Sequence, residues 1–210
     1  MLCRTPHVLD EEARTAEFGR ALGIASEGVD ARQAAALDPG IRMDIAGAVY
    51  FPQDCHLSPD RFVRELQDRV TAEGAEFAWN TEITGWRVEG GGTIRTATTR
   101  GGGAIEADEF VLCGGSWSSS LARELGLRLP LQAGKGYSLT LAKPRQLPVV
   151  CAILTEARVA VTPMGGALRF AGTMEIAGLD EDISPVRVRG IIAAASKYYP
   201  DFEPSDFEGV

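Results

Sequence analysis

The sequence predicts an α/β region in its first half and an α+β region in its second, two interleaved domains on one chain. Three observations carry that prediction. Helical patterns in the first half give way to residues alternating with period two. An apolar run, Phe110–Cys113, then passes through Gly114-Gly115 into a helix. Beyond residue 136, short alternating runs recur between turn residues, as antiparallel strands with helices do.

In chain order, Asp10 to Leu22 reads as a helix, with Asp10 as cap, acids following and Gly23 as stop. Asp30 and Gln33 have the spacing of a capping box, opening a short helix that Asp38-Pro39 must end. Ala46 to Phe51 is a strand candidate. Ser58-Pro59 opens the clearest helix, where Ser caps, Pro fits the first position and Phe62, Leu66 and Val70 share a face. Gly74 closes it. Period two then predicts strands at Ala75–Trp79, Ile83–Val88, Thr93–Thr99 and Ala104–Ala107, with glycine turns at 90–92 and 101–103. After the run at Phe110–Cys113, a helix is expected from about Ser116 to Leu125. Four more strands follow, at Tyr137–Leu141, Val149–Leu154, Arg158–Pro163 and Leu168–Thr173. Ser184-Pro185 starts a last helix toward Tyr199, and another strand is expected where the sequence stops at Asp206–Val210. Met1-Leu2-Cys3 predicts nothing.

Composition narrows the function. With 45% hydrophobic and 24% charged residues, the 210-residue chain is suited to bury a core. A net charge of −8, with Lys and Arg scattered, argues against nucleic-acid binding and against anionic membranes. No apolar stretch approaches a membrane span, and the charged N-terminal region lacks a signal-peptide core, so a cytoplasmic location is expected. Four separated cysteines and two histidines offer neither a zinc site, a disulfide framework nor a His-based triad; no metal ligand and no catalytic side chain is assigned.

Three segments can carry chemistry. At Cys113-Gly114-Gly115-Ser116-Trp117, a strand-to-helix turn with two glycines can aim backbone N–H groups at a phosphate or flavin edge, or can be an ordinary tight turn. Gly134-Lys135-Gly136-Tyr137 can present a cation to an anionic ligand, or can be a connection bearing a solvated lysine. Arg169 to Glu175 contains Gly172, which marks either a close approach or a strand bulge. Neither G-x-G-x-x-G nor a P-loop occurs.

Taken together, Asp54–Phe62, Gly74-Ala75, Ala107–Trp117, Gly134–Ser138 and Gly172–Glu175 resemble the D-amino acid dehydrogenase branch of the FAD-dependent amine oxidoreductases, in the superfamily of glycine oxidase and sarcosine oxidase. Ala36–Pro39 and Gly47–Pro52 are similar to the same branch. The resemblance implies part of a doubly wound FAD-binding domain (residues 54–130), interleaved with a mostly antiparallel β substrate domain (residues 1–53 and 131–210). It implies that Thr81, Glu82 and Ile83 lie beside the adenosine half of FAD and that Cys113, Gly114, Gly115 and Trp117 lie against the flavin, although Trp117 equally suits a core. Gly134, Lys135, Gly136 and Tyr137 are expected near the isoalloxazine ring, and Tyr50, Gly172 and Thr173 on the substrate side.

Two departures from the family stand out. The opening dinucleotide fingerprint and the closing glycine-rich segment are absent, so the chain is expected to be a truncated part of a longer parent and to retain no FAD alone. The implied reaction oxidises a C–N bond by hydride transfer to FAD, from a small amino acid or amine, with oxygen, a quinone or another acceptor downstream. A non-catalytic binding module and an oxygen-using glycine or sarcosine oxidase type are the alternatives.

Overall fold

Helices begin where a short polar side chain can take up N–H groups that a first turn leaves unbonded. In the computed structural model, which describes residues 1–207, the elements are β1 (Leu2–Cys3), α1 (Pro6–Ala21), β2 (Glu27–Asp30), α2 (Ala31–Leu37), β3 (Gly47–Tyr50) and α3 (Pro59–Ala72). They continue with β4 (Ile83–Val88), β5 (Ile94–Thr99), β6 (Ala104–Glu106) and α4 (Ser118–Glu124), the last entered through a 3-10 turn at Gly115–Trp117. Then come β7 (Lys135–Leu141), β8 (Ala152–Leu154), β9 (Val159–Met164), β10 (Ala167–Glu175) and α5 (Pro185–Tyr198), followed by a 3-10 turn at Pro204–Phe207. The mixed α/β class read from the sequence is the class observed. The strand expected around Asp206–Val210 falls largely outside the described residues, and Asp206 itself lies in the last 3-10 turn.

Helix α1 starts four residues before the expected Asp10, because Thr5 and Pro6 form the better start. Thr5 Oγ1 accepts from the Val8 amide at 3.3 Å and Pro6 needs no partner for a missing N–H. Helix α2 has the expected capping box: Asp30 Oδ1 accepts from the Gln33 amide at 2.8 Å, and Gln33 Oε1 accepts from the Asp30 amide at 2.9 Å.

The chain divides into two units. The first holds Met1–Val63, Lys135–Glu175 and the residues from Glu181 onward; the second holds Arg64–Gly134 and Ile176–Asp180. In the first, seven strands pair in the order β2-β3-β1-β8-β9-β10-β7, parallel only between β1 and β8. Leu139, Leu141, Leu154, Val161, Leu168 and Phe170 are buried in one core with Ile191, Ala194, Ala195 and Tyr198 of α5. Phe170 meets the rings of Phe202 and Phe207 edge-on, at centroid distances of 5.6 and 5.4 Å. Strand β1 was not expected from the sequence. Two residues carry no periodicity, and only pairing of Leu2 with both Ala48 and Leu154 makes them a strand inside the sheet.

The second unit is built on the antiparallel sheet β4-β5-β6. Trp86 of β4 donates its indole N–H to the Leu121 carbonyl in α4 at 3.0 Å and meets Phe110 edge-on at 5.6 Å. Two expected strands do not form. Residues 75–78 are irregular, and nearby Phe77 stacks on Trp79 with rings 5.0 Å apart. Phe110–Cys113 also lies outside any strand, and Val111 is 86% exposed. An apolar run of this kind becomes a strand only when neighbours hydrogen-bond to it, and among the described residues none does. The helix expected over 116–125 is instead the 3-10 turn followed by seven α-helical residues.

Candidate functional site

Alternation along the strands of the first unit sends one set of side chains to the core and the other to the opposite face. Cross-strand register places Arg169 between Thr140 and Thr162, and Ala171 between Ser138 and Ala160, all on that second face. The face is polar and partly open, with Ser138 and Thr140 exposed. Arg169 donates from Nη2 to Ser138 Oγ at 3.0 Å, while its buried Nε has no partner in the structure.

Beside this face is a cavity of about 770 Å³. Ile153, Ala160 and Thr162 belong to its sheet wall, Tyr50 and Phe51 to the end of β3, and Asp54, Cys55 and His56 to the loop that follows. Of the residues expected on the substrate side, Tyr50 therefore lines the cavity. Gly172 and Thr173 lie farther along β10 and do not line it.

At Gly172 strands β10 and β9 approach closely: a Cβ there would stand 2.6 Å from Val159 Cγ2 and 3.2 Å from the Arg158 carbonyl oxygen. A bulge follows between Gly172 and Met174, with Thr173 at φ +59. Thr173 Oγ1 accepts from Arg187 Nη1 at 2.6 Å.

That bulge sits in a charged cluster. Glu175 takes Lys135 Nζ at 2.8 Å, the Tyr137 hydroxyl at 2.6 Å and Arg187 Nε at 2.7 Å. The hydrogen bond from Lys135, then that from Tyr137, hold its carboxyl well below the usual range, at about 2. Lys135 also donates to the Asp182 carbonyl at 2.6 Å. Lys135 and Tyr137, expected near the isoalloxazine ring, are thus joined to each other through Glu175, a residue to which the sequence reading gave no role. Two donors flanking a glycine in one strand, with an acid at the end of another motif, were the available signal. Gly136, between them, has open space where a Cβ would be.

The second unit holds the remaining expected residues. Glu82 forms a paired contact with Arg100 at 2.5 Å for each oxygen, which lowers its pKa chiefly through that hydrogen bond. Thr81 Oγ1 donates to the Trp79 carbonyl at 3.1 Å, and Ile83 opens β4 opposite Thr99. Cys113, Gly115 and Trp117 are exposed, Trp117 at 56%. Gly114 packs near Ser118, whose Oγ would lie 3.2 Å from an added Cβ. Gly115 has φ +52 and nothing within 4 Å of a Cβ position, so neighbouring chain does not fill that space. Gly134 is exposed. Among the described residues, no helix is long and apolar enough to cross a membrane.

Comparison with known proteins places these features in a wider setting. The family described as FAD dependent oxidoreductase (DAO) matches residues 2–209. A D-amino acid dehydrogenase of Paramagnetospirillum magneticum is 37% identical over 163 residues, covering 77% of this chain and 38% of that protein. Its counterpart from Agrobacterium fabrum is 34% identical over 189 residues, covering 88% of this chain and 45% of that protein. The chain therefore spans less than half the length of these two curated relatives. Glycine oxidase from Bacillus cereus superimposes with a TM-score of 0.81 at 20% identity, over 95% of this chain and 54% of that one, a likeness of fold.

Proposed function

The chain belongs to the FAD-dependent oxidoreductase family, and on that premise we propose that the protein carrying it oxidises the C–N bond of an amino acid or secondary amine. The observation that carries the reading is the open polar face of the first unit, with Arg169 on it and a cavity beside it. A guanidinium with an unpartnered N–H on this face favours a carboxylate, which can accept two parallel hydrogen bonds. The D-amino acid dehydrogenase names of the relatives support an amino acid and an acceptor other than oxygen.

The residues fit the cofactor on one side and are already occupied on another. The exposed segment around Cys113, Gly114, Gly115 and Trp117, with open space at Gly115, suits the approach of a flat ring or phosphate to the backbone. Glu82 is taken up by Arg100, whose amide also donates to the Glu82 carbonyl, and Lys135 by Glu175, so the side chains at these two positions hold the scaffold. Residues 54–130 form the FAD-side segment in this reading, with 1–53 and 131–210 on the substrate side. The chain expressed alone holds no FAD. When bound, FAD would supply the hydride acceptor for oxidation at the carbon bearing the nitrogen. The chain's own residues bind and orient: Arg169 holds the carboxylate and Tyr50 limits the side-chain space, while the Glu175 cluster fixes the β7–β10 edge. The protein resides in the cytoplasm.

The test is the variant Arg169→Met in the protein that carries this chain, assayed with a D-amino acid and a dye acceptor. Loss of carboxylate binding should raise KM at least about tenfold with kcat less affected, as expected for an interaction made in both ground and transition states. An unchanged KM would remove Arg169 from the substrate face.

A further inference from the structure

Along β10 the side chains alternate between the core and the open face as far as Gly172, and there the alternation breaks. Leu168 and Phe170 are buried, whereas Arg169 and Ala171 stand opposite Thr140 and Ser138 on the open face. Strict alternation would send Met174 to the core side and Glu175 to the open face. The bulge between Gly172 and Met174 shifts the register by one residue and reverses both. Met174 stands opposite Gly136, on the open face, and Glu175 stands opposite Lys135.

The reversal at Glu175 is explained by the fold, since it delivers the carboxylate to Lys135, Tyr137 and Arg187. The reversal at Met174 puts an apolar side chain, 64% exposed, on an otherwise polar or small-residue face. Its backbone is held there: the Met174 carbonyl accepts from Arg187 Nη1 at 3.2 Å, and the same nitrogen donates to Thr173 Oγ1. The thioether is unbranched and polarisable, suited to an apolar group laid against it.

Arg169 and Met174 are the two long side chains that β10 places on this face. Four positions of β7 separate them, from Thr140 to Gly136, or about 13 Å along the sheet. Ala171, Ser138 and Gly136 lie between, and Gly136 has nothing within 4 Å of where a Cβ would stand. One end of this stretch is cationic and the other apolar, as are the needs of an amino acid with a carboxylate and an apolar side chain.

We propose that Met174 determines which amino acid the protein accepts: with the carboxylate on Arg169, an unbranched or aromatic apolar side chain reaches along this stretch to Met174. The assignment rests on the oxidation proposed above and deepens it. Tyr50 bounds the space toward β3, and Met174 bounds it along the β7–β10 edge. A charged substrate side chain would lose hydration against a thioether, which is only a weak acceptor. A side chain as short as that of alanine would not reach it.

Steady-state kinetics of the FAD-loaded protein that carries this chain, with D-phenylalanine, D-alanine, D-lysine and a dye acceptor, tests this. The parent should prefer D-phenylalanine, and Met174→Ala should lower kcat/KM for it about tenfold more than for D-alanine. Met174→Glu should reverse the order of D-phenylalanine and D-lysine, and Met174→Leu should keep the parent's order. Because the position is 64% exposed, all three variants should keep the parent's thermal midpoint. Calorimetric titration with 3-phenylpropanoate and propanoate, which have no amine to oxidise, reads binding alone. The first should bind about tenfold more tightly and lose that margin in Met174→Ala. A parent that prefers D-alanine or D-lysine, equal effects of Met174→Ala on D-phenylalanine and D-alanine, or an unchanged margin between the two carboxylates would overturn the proposal while the oxidation stands. Oxidation of none of the three amino acids would overturn both.

Discussion

Replacing Gly172 with alanine distinguishes a sheet-spacing residue from a ligand-contacting one. The added methyl would stand 2.6 Å from Val159 Cγ2, 3.2 Å from the Arg158 carbonyl oxygen and 3.3 Å from Val159 Cα. Val159 is 3% exposed, so its methyl group has little room to turn away and the backbone of β9 must move. Arg158, one of the obstructing residues, already has φ +54, which limits how that backbone adjusts. Inserting a methyl into so close a packing costs about 1–3 kcal/mol. For a chain of this size, a loss near the middle of that range lowers the thermal midpoint by roughly 4–8 °C. Thermal unfolding followed by near-ultraviolet circular dichroism of the tyrosines reads it. A midpoint within about 1 °C of the parent's would refute the spacing argument, because a relaxed sheet would then have absorbed the methyl at no cost. Loss of turnover at unchanged stability would place a ligand, rather than β9, against Gly172.

Other changes probe the remaining scaffold and the cofactor side. Glu175→Gln removes a carboxyl held at about 2, against an ordinary 4.5. A depressed acid stabilises the fold fully above its ordinary pKa and less as pH falls toward the folded value, so the parent's advantage in urea midpoint should be constant from about pH 7 to 5 and shrink between about pH 4.5 and 2. Phe170→Ala empties a fully buried position between Phe202 and Phe207 and should cost about 3–5 kcal/mol in urea unfolding. Asp30→Ala removes the acceptor for the Gln33 amide while the backbone amide of residue 30 keeps its bond to Gln33 Oε1, and it should cost about 0.5–2 kcal/mol by the same measurement. Gly115→Val, at φ +52, should add about 1–2 kcal/mol of backbone strain and, in the protein that carries this chain, release FAD while the fold persists; a normal flavin content would make the glycine a turn residue only.

What the sequence reveals is mostly what is local. The capping box at Asp30 and Gln33, the Ser58-Pro59 start of α3 and the hairpin β4-β5 are all readable, because cap, proline and turn chemistry act over a few residues. Strand β1 is invisible because its two residues become a strand through partners 44 or more positions away. Phe110–Cys113 errs in the other direction, since its apolar run meets the local requirement but finds no pairing. At the site, the residues of the Gly134–Ser138 and Gly172–Glu175 motifs do come together, and the side-chain bonds that join them run from Lys135 and Tyr137 to Glu175. Ion pairing across strands depends on register, which composition does not encode. Asp38 was readable only as the end of a helix; its burial beside the 149–150 amides depends on a segment more than a hundred residues later.

The central claim is C–N oxidation with FAD, and anaerobic titration of the protein that carries this chain with D-amino acids, L-amino acids, glycine and sarcosine tests it most directly. The account predicts that at least one of them bleaches the flavin absorbance without NADH, yielding one keto acid or aldehyde per flavin reduced. A flavin spectrum left unchanged by every member of that panel would contradict it.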